Sequence, residues 1–231
     1  MKAPNIIIMM TMLFTATVFS ATVKRLDGEV KYRRGLEEQW HDARVNLDLE
    51  DIDTILTGEG TVVLELSGGS TFTLGSYSTL DINELRTISR QEMFLFVMSQ
   101  KVNRMEPRRS KSNLNVENVS SLHGEKKSIQ PAAKNDRIVE RWVQELNAAK
   151  AMYQQEYYPN SVVKLHKIWN RYTTMDDCGQ VHYYLGKSFE ELQEPGQAID
   201  CYQLAVERAE ACEDEHDIIN DAKRAVHRLS R

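Results

Sequence analysis

Four acidic side chains fall within six consecutive positions of the N-terminal half, a density that raises the question of a metal site. They are Asp48, Glu50, Asp51 and Asp53. A calcium loop needs oxygen ligands that converge around a glycine turn. This run contains no glycine, and Leu49 and Ile52 interrupt it. Aspartate also bonds its own backbone and stabilises turns, so the pattern favours a turn and predicts no metal.

Histidine, the usual proton carrier and metal ligand, is scattered along the chain without acidic or cysteine partners at ligand spacing. The positions are His41, His123, His166, His182, His216 and His227. The chain has no HExxH, no GxSxG and no glycine-rich phosphate loop. The sequence therefore predicts no catalytic residue, no cofactor and no enzymatic activity.

All three cysteines lie in the C-terminal half, at Cys178, Cys201 and Cys212, and none forms a CxxC pair. In an oxidising compartment two of them would form a disulfide and leave the third free. The alternative is that all three are small apolar side chains inside helices. The sequence leaves both possibilities open.

The first 21 residues have the features of a secretory signal. Lys2 is followed by an almost wholly apolar stretch over 6–19, and small residues precede the charged pair Lys24-Arg25. The stretch is shorter than the ~20 residues of a transmembrane helix. We therefore expect a cleaved signal peptide over 1–21 and a periplasmic or secreted protein, with an uncleaved membrane anchor as the alternative.

Residues 22–125, with a core over 22–100, are predicted to form an all-β domain. The β-branched and aliphatic run 61–66, the Gly68-Gly69 turn and the alternating run 71–74 are typical of a hairpin. Trp40 is expected to pack across one face of the sheet. The apolar run 93–97 is compatible with a buried strand, or with a helix over 85–104.

This part resembles the FecR domain of bacterial periplasmic proteins. The resemblance is carried by Gly28-x-Val30, Trp40, Ala43, Leu47, Asp51-x-Asp53-Thr54, Thr57-Gly58, the run 62–66, Gly69-Ser70, Leu74 and the run 78–82. It implies a role at the cell envelope. The family's usual cytoplasmic segment and transmembrane helix are not expected here, because only the signal-like stretch comes before Val23. Regulation of iron transport is therefore not expected to carry over.

Charge separates the chain into two acidic parts and a basic segment between them. Residues 22–100 carry 14 acidic and 8 basic side chains, 101–127 carry 3 and 7, and 136–231 carry 17 and 12. Nucleic-acid binding requires a basic face on the folded domain, so this function is not expected. Residues 126–135 are predicted to be a flexible linker.

Residues 136–231 are predicted to form helices whose packing positions resemble tetratricopeptide (TPR) repeats. The positions that carry the resemblance are His182, Leu185, Gly186, Phe189, Ala198, Tyr202 and Ala205. A weaker repeat covers about 145–174, and a last helix over 217–229 would act as a cap, with Lys223, Arg224 and Arg228 on its opposite, charged face.

By position, the TPR resemblance implies a concave groove that binds a protein. Five residues would line it, namely Gln180, Tyr183, Lys187, Glu190 and Glu191. We therefore expect an α+β protein of two domains, an all-β FecR-like domain followed by a TPR-type helical array. Its expected function is that of an exported adaptor or scaffold, without a stable transmembrane span after processing.

The alternative is a periplasmic ligand or glycan sensor that acts through the β-domain. Exposed aromatic rings would favour it, because aromatic faces are common in binding sites. The candidates are Tyr32, Trp40 and Tyr77.

Overall fold

Two long antiparallel strands, β1 (Ser20–Arg33) and β4 (Thr54–Leu66), form the centre of a six-stranded sheet. The computed structural model describes residues 20–104, 136–212 and 216–231. Strands β2 (His41–Asp42) and β3 (Asp48–Glu50) pair with β1. Strands β5 (Thr71–Leu74) and β6 (Thr79–Asp81) pair with β4.

Alternating side chains of β4 face the sheet core, as the period of two along a strand requires. Val62, Leu64 and Leu66 are buried, whereas Val63 and Glu65 are only partly covered. The β1–β4 register shifts next to Gly28. Gly28 has φ +72°, and a Cβ there would lie 2.1 Å from the Glu59 carbonyl oxygen. This irregularity therefore requires glycine.

The hairpin predicted around Gly68-Gly69 is confirmed. Strands β4 and β5 pair antiparallel, with Leu64 opposite Phe72. Gly69 has φ +79°, the left-handed backbone conformation that glycine adopts without strain. After β6, a 3-10 turn (Ile82–Leu85) buries Ile82 and Leu85 against the sheet.

Trp40 does not pack across the sheet, so that prediction is wrong. It lies just before β2, is 39% exposed, and stacks under the Arg33 guanidinium at 5.3 Å. The sheet core is closed instead by side chains of a helix, including Ala148 and Met152. A helix that covers a sheet face buries more apolar area than one indole ring.

The apolar run 93–97 lies in a helix, α1 (Arg90–Arg104), and not in a strand. Met93 and Val97, four residues apart, are buried in the core that the helices share. Apolar residues at this spacing lie on one helical face. The helix therefore packs with the C-terminal helices, although the predicted β-domain extended to residue 125.

Five further helices follow, and neighbours in the chain pack against each other. They are α2 (Asp136–Gln154), α3 (Tyr158–Arg171), α4 (Gln180–Glu191), α5 (Pro195–Ala209) and α6 (His216–Leu229). Pro159 and Pro195 lie in the first turns of α3 and α5, where the missing amide proton costs no hydrogen bond. The coarse prediction, an antiparallel sheet followed by helices, is confirmed.

Helix α2 belongs to both cores. Its Ala148 and Met152 pack into the sheet, while Leu146 and Ala149 pack among the helices. A helix with two apolar faces buried in this way holds both parts in contact. The predicted signal peptide, apart from Ser20 and Ala21, and the linker 126–135 lie outside the described residues.

Polar contacts reinforce this direct packing of helices on the sheet. The Gln155 side chain accepts a hydrogen bond from the Thr73 amide and donates one to the Thr73 carbonyl, both at 2.7 Å. It thereby satisfies backbone groups on the outer edge of β5, as a neighbouring strand would. The Asn160 amide donates to the carbonyls of Glu84 and Arg86 at 2.6 and 2.8 Å.

Candidate functional site

A groove of about 390 Å³ lies between helices α2, α4 and α6. Helix α2 contributes one residue, α4 four and α6 four, and Tyr202 of α5 lies at the bottom. The lining residues are Tyr153, Tyr183, Lys187, Glu190, Glu191, Tyr202, Asp221, Arg224, Ala225 and Arg228. We call this surface the groove.

The groove is possible because α4 and α5 approach closely at Gly186. A Cβ at this position would lie 2.7 Å from the ring of Tyr202. Four of the positions on which the predicted repeat rests are buried beside them, namely Leu185, Phe189, Ala198 and Ala205. Small residues at helix contacts permit such an approach, and α4 is thereby held with one face directed towards the groove.

Four of the five predicted groove residues lie together on this surface, namely Tyr183, Lys187, Glu190 and Glu191. The fifth, Gln180, does not line it. Gln180 lies at the start of α4, before the other four residues. Its side-chain oxygen accepts a hydrogen bond from Lys150 at 2.8 Å. The structure brings the four residues together, and their role in binding stays a prediction.

Lys187 lies among three tyrosine rings. Its ammonium nitrogen is 4.8 Å from the ring centre of Tyr153, 5.5 Å from that of Tyr183 and 5.7 Å from that of Tyr184. Cation–π attraction holds the charge at this position. Among the described residues Lys187 forms no ion pair, so its charge is available to a ligand.

Side-chain contacts join α6 to α4 across the groove, and a further contact holds each of their carboxylates. Tyr183 donates its hydroxyl to Asp221 at 3.1 Å, and Tyr202 donates to Glu190 at 2.9 Å. Arg228 pairs with Glu190, and Arg224 pairs with Asp221. These contacts fix the width of the groove, since each carboxylate is held from both sides.

The tyrosines of the groove remain protonated over the whole physiological range. Burial, and then the hydrogen bond to Asp221, raises the pKa of Tyr183 to about 12. Burial, and then the charge of Glu191, raises the pKa of Tyr153 to about 12. Burial and the bond to Glu190 also raise the pKa of Tyr202. The hydroxyls therefore act as donors and not as nucleophiles.

Sequence reasoning missed the contribution of α6. Arg224 and Arg228 lie on the exposed, charged face of α6, as predicted, and with Asp221 they also line the groove. On the opposite side of this helix, Ala222 and Ala225 are buried. The sequence did contain a signal for this surface, because residues spaced by three and four, such as Asp221, Arg224 and Arg228, lie on one face of a helix.

The acidic run 48–53 begins in strand β3 and ends in the predicted turn, at residues 51–52. Asp53 is 1% exposed and accepts hydrogen bonds from the Glu50 amide at 2.9 Å and the Gly35 amide at 3.1 Å. Arg34 pairs with it at 2.6 Å. Both oxygens of Asp53 thus bond within the protein and stabilise the turn.

Cys178 and Cys212 form a disulfide, and Cys201 is not part of a disulfide among the described residues. This is the first of the two possibilities that the sequence left open. The bond joins the loop before α4 to the segment after α5. Asp176 lies close to both sulfurs, but sulfurs in a disulfide are not the thiolates that bind metals.

His182 is 5% exposed and packs with its ring centre 4.4 Å from that of Trp169. It lies in the helical core, as its repeat position predicted. Within residues 20–104, 136–212 and 216–231, no helix has the length and apolar character needed to cross a membrane.

Comparison with known proteins gives no further assignment. No family model matches the chain, and neither a curated protein nor a solved structure matches it.

Proposed function

We propose that this protein is an exported, non-enzymatic adaptor of the bacterial envelope that binds a protein partner in the groove. The observation that carries the proposal is the groove itself, in which tyrosine rings and one unpaired lysine face solvent together. Tyrosine and arginine are enriched at the energetic centres of protein interfaces.

The charges of the groove suit a peptide segment better than a small charged metabolite. Three cationic side chains, Lys187, Arg224 and Arg228, face three carboxylates. Two of those carboxylates are already paired with α6, whereas Glu191 forms no ion pair among the described residues. A partner segment would satisfy Glu191 and Lys187 and cover the rings.

The two resemblances support this proposal. The contact of Gly186 with Tyr202 is the kind of helix approach that TPR repeats use, and we assign residues 136–231 to a TPR-like array. We likewise assign the sheet of residues 22–100 to a FecR-like domain, on the order of its strands and turns. Both types of module are associated with docking and not with catalysis.

Site-specific photocrosslinking in the native cells would test the proposal. A photoreactive residue at Glu191 should yield a discrete covalent adduct with one protein. The same residue at Gln203, exposed on α5 outside the groove, should not. Adding Lys187→Ala should remove the adduct, whereas identical adducts at both positions would exclude the groove as the docking surface.

Export is proposed from the signal-like residues 1–21. Periplasmic fractionation followed by intact-mass measurement should find the protein shortened by 20 or 21 residues. A full-length mass in the membrane fraction would favour the uncleaved anchor.

A second function, ligand or glycan sensing by the β-domain, is favoured by aromatic exposure. Trp40 is 39% and Tyr77 is 50% exposed, while Tyr32 is partly covered by Arg34 and His41. Binding of isolated cell-wall material by the purified protein, with no protein adduct in the groove, would support sensing over docking.

A further inference from the structure

A second concave surface lies where the sheet meets α2 and α3, with a volume of about 1120 Å³. Strands β1, β4 and β6 form one wall, and the middle of α2 and the second half of α3 form the other. We call this surface the cleft. It exists only because the two parts of the chain pack together, and it has no lining residue in common with the groove.

Cations outnumber carboxylates in the cleft. The lining includes five basic side chains and three acidic ones. The basic ones are Arg33, Arg141, Lys164, Lys167 and Arg171. Since the acidic ones are Asp81, Glu84 and Glu145, the surplus is 5 − 3 = 2 positive charges.

The buried carboxylates are each shared by more than one cation. Glu84 accepts hydrogen bonds from Lys164 at 2.5 Å and from Lys167 at 3.2 Å. Glu145 accepts from Arg171 at 2.8 Å, and Arg141 lies 3.6 Å from the same oxygen. One carboxylate cannot neutralise two cations, so positive charge remains on the walls.

Arg33 has no carboxylate partner among the described residues. Its Nη2 donates to the Thr54 hydroxyl at 3.3 Å, and its buried Nε has no hydrogen-bond partner there. A half-buried guanidinium without a counterion is costly. Such an arrangement is maintained in binding sites, where a ligand supplies the missing charge.

Trp40 adds a flat apolar surface to this charged wall. Its ring lies 5.3 Å from the Arg33 guanidinium and remains 39% exposed. Aromatic rings beside a few fixed polar groups characterise small-molecule sites. The combination fits a ligand that carries a ring with a weakly polar face and an anionic substituent.

We propose that the cleft binds an anionic saccharide, whose carboxylate or phosphate pairs with Arg33 and the guanidinium of Arg171 while its sugar ring packs on Trp40. The volume is sufficient for more than one sugar unit, since pockets for small molecules span about 300–1,000 Å³. The proposal is independent of protein docking in the groove.

Isothermal titration calorimetry on the purified protein tests this, with glucuronate and glucose 6-phosphate as probes and glucose, acetate and inorganic phosphate as references. At least one anionic sugar should bind more tightly than glucose and than both simple anions. Preference for glucuronate would identify a carboxylated source, and preference for glucose 6-phosphate a phosphorylated one. Equal binding of glucose, or of the simple anions, would overturn the proposal, as would the absence of binding.

Two variants on β1 separate a specific site from general attraction. Arg33→Gln should weaken binding about tenfold, as loss of a charge-assisted hydrogen bond implies. Arg25→Gln removes the same charge from an exposed position outside the cleft and should change affinity less than about twofold. Equal losses in both variants would refute the site.

Trp40→Ala keeps the test informative if Arg33→Gln does not fold. The indole is partly exposed and lies outside both cores, so this variant should keep its unfolding temperature. It should lose affinity for the anionic sugar but not the preference for anions over glucose. Unchanged sugar affinity would exclude the stacking role of Trp40.

Discussion

The groove and the cleft differ in where their charges find partners. The contacts between α4 and α6 in the groove, Tyr183–Asp221 and Glu190–Arg228, join residues 38 positions apart. In the cleft, Glu84 binds two residues that lie 80 or more positions away, Lys164 and Lys167. The groove is balanced in charge, whereas the cleft has a cationic surplus.

This difference shows that one chain carries two kinds of surface with separate physical origins. The groove follows from helix periodicity and from small residues between neighbouring helices. The cleft follows from the meeting of two cores across α2. Substitutions in the cleft should therefore affect stability differently from substitutions in the groove. The following changes test that distinction.

The largest effect on stability is expected beneath the cleft, where Glu84 after the sheet contacts Lys164 of α3. Glu84→Gln leaves Lys164, whose side chain is 5% exposed, buried without a counterion, and should lower the free energy of unfolding by about 3–5 kcal/mol. Urea denaturation measures it. Glu65→Gln, in a surface pair with Lys24, is the matched control and should cost under about 1 kcal/mol.

The same carboxylate predicts a pH dependence. Burial alone would raise the pKa of Glu84, but attraction to Lys164 and then Lys167 outweighs it and lowers the pKa below its ordinary value of 4.5. Its contribution is therefore fully present above about pH 4.5 and is lost as pH falls through the lower, folded-state value. Glu84→Gln should flatten this part of the curve of stability against pH. An unchanged curve would contradict the assignment.

The next largest effect concerns the support of the groove. The Cys178–Cys212 disulfide closes a segment with a sequence separation of 34. Its replacement by Cys178→Ser with Cys212→Ser should cost about 2–4 kcal/mol, measured by thermal unfolding. Cys201→Ser is the control, since Cys201 is not in this disulfide. Equal losses in both variants would argue against a stabilising disulfide.

A smaller effect is expected where α4 meets α5. Gly186→Ala places a methyl group against the Tyr202 ring and should cost about 1–3 kcal/mol through overpacking. Gly196→Ala is a matched control, because a Cβ there has open space around it. If both variants were equally stable in urea, the close approach would not limit this packing.

The smallest effect is expected on the rim of the groove. Tyr183→Phe removes the hydroxyl that donates to Asp221 and should cost about 0.5–1.5 kcal/mol. The readouts are chemical denaturation and crosslinking from position 191. We expect weaker crosslinking with little loss of stability. A loss of stability as large as that for Glu84→Gln would mean that the contacts of the groove, too, hold the fold together.

The sequence predicted local features well where the signal was local. The Gly68-Gly69 hairpin follows from turn residues between alternating strands. Four groove residues on α4 were named from the resemblance to TPR repeats, and they lie together because side chains three and four apart share a helical face. Sequence alone did not show that the charged face of α6, with Arg224 and Arg228, borders the same groove.

Other predictions failed because a partner distant in sequence decided the outcome. Trp40 was expected in the sheet core, but α2 fills that place with Ala148 and Met152. The run 93–97 forms a helix because Met93 and Val97 find buried partners among the C-terminal helices. A short apolar run is compatible with either structure until its packing surface is known.

The sequence by itself determined the division into a strand-rich and a helix-rich part, because the period of apolar residues distinguishes strands from helices. It also determined that Gly186 allows two helices to meet. Only the tertiary structure decided that α2 serves both cores, that Glu84 is neutralised by Lys164, and that Arg33 and Trp40 face a shared cleft. These features depend on contacts between segments about 80 residues apart, as for Glu84 and Lys164, which local periodicity does not encode.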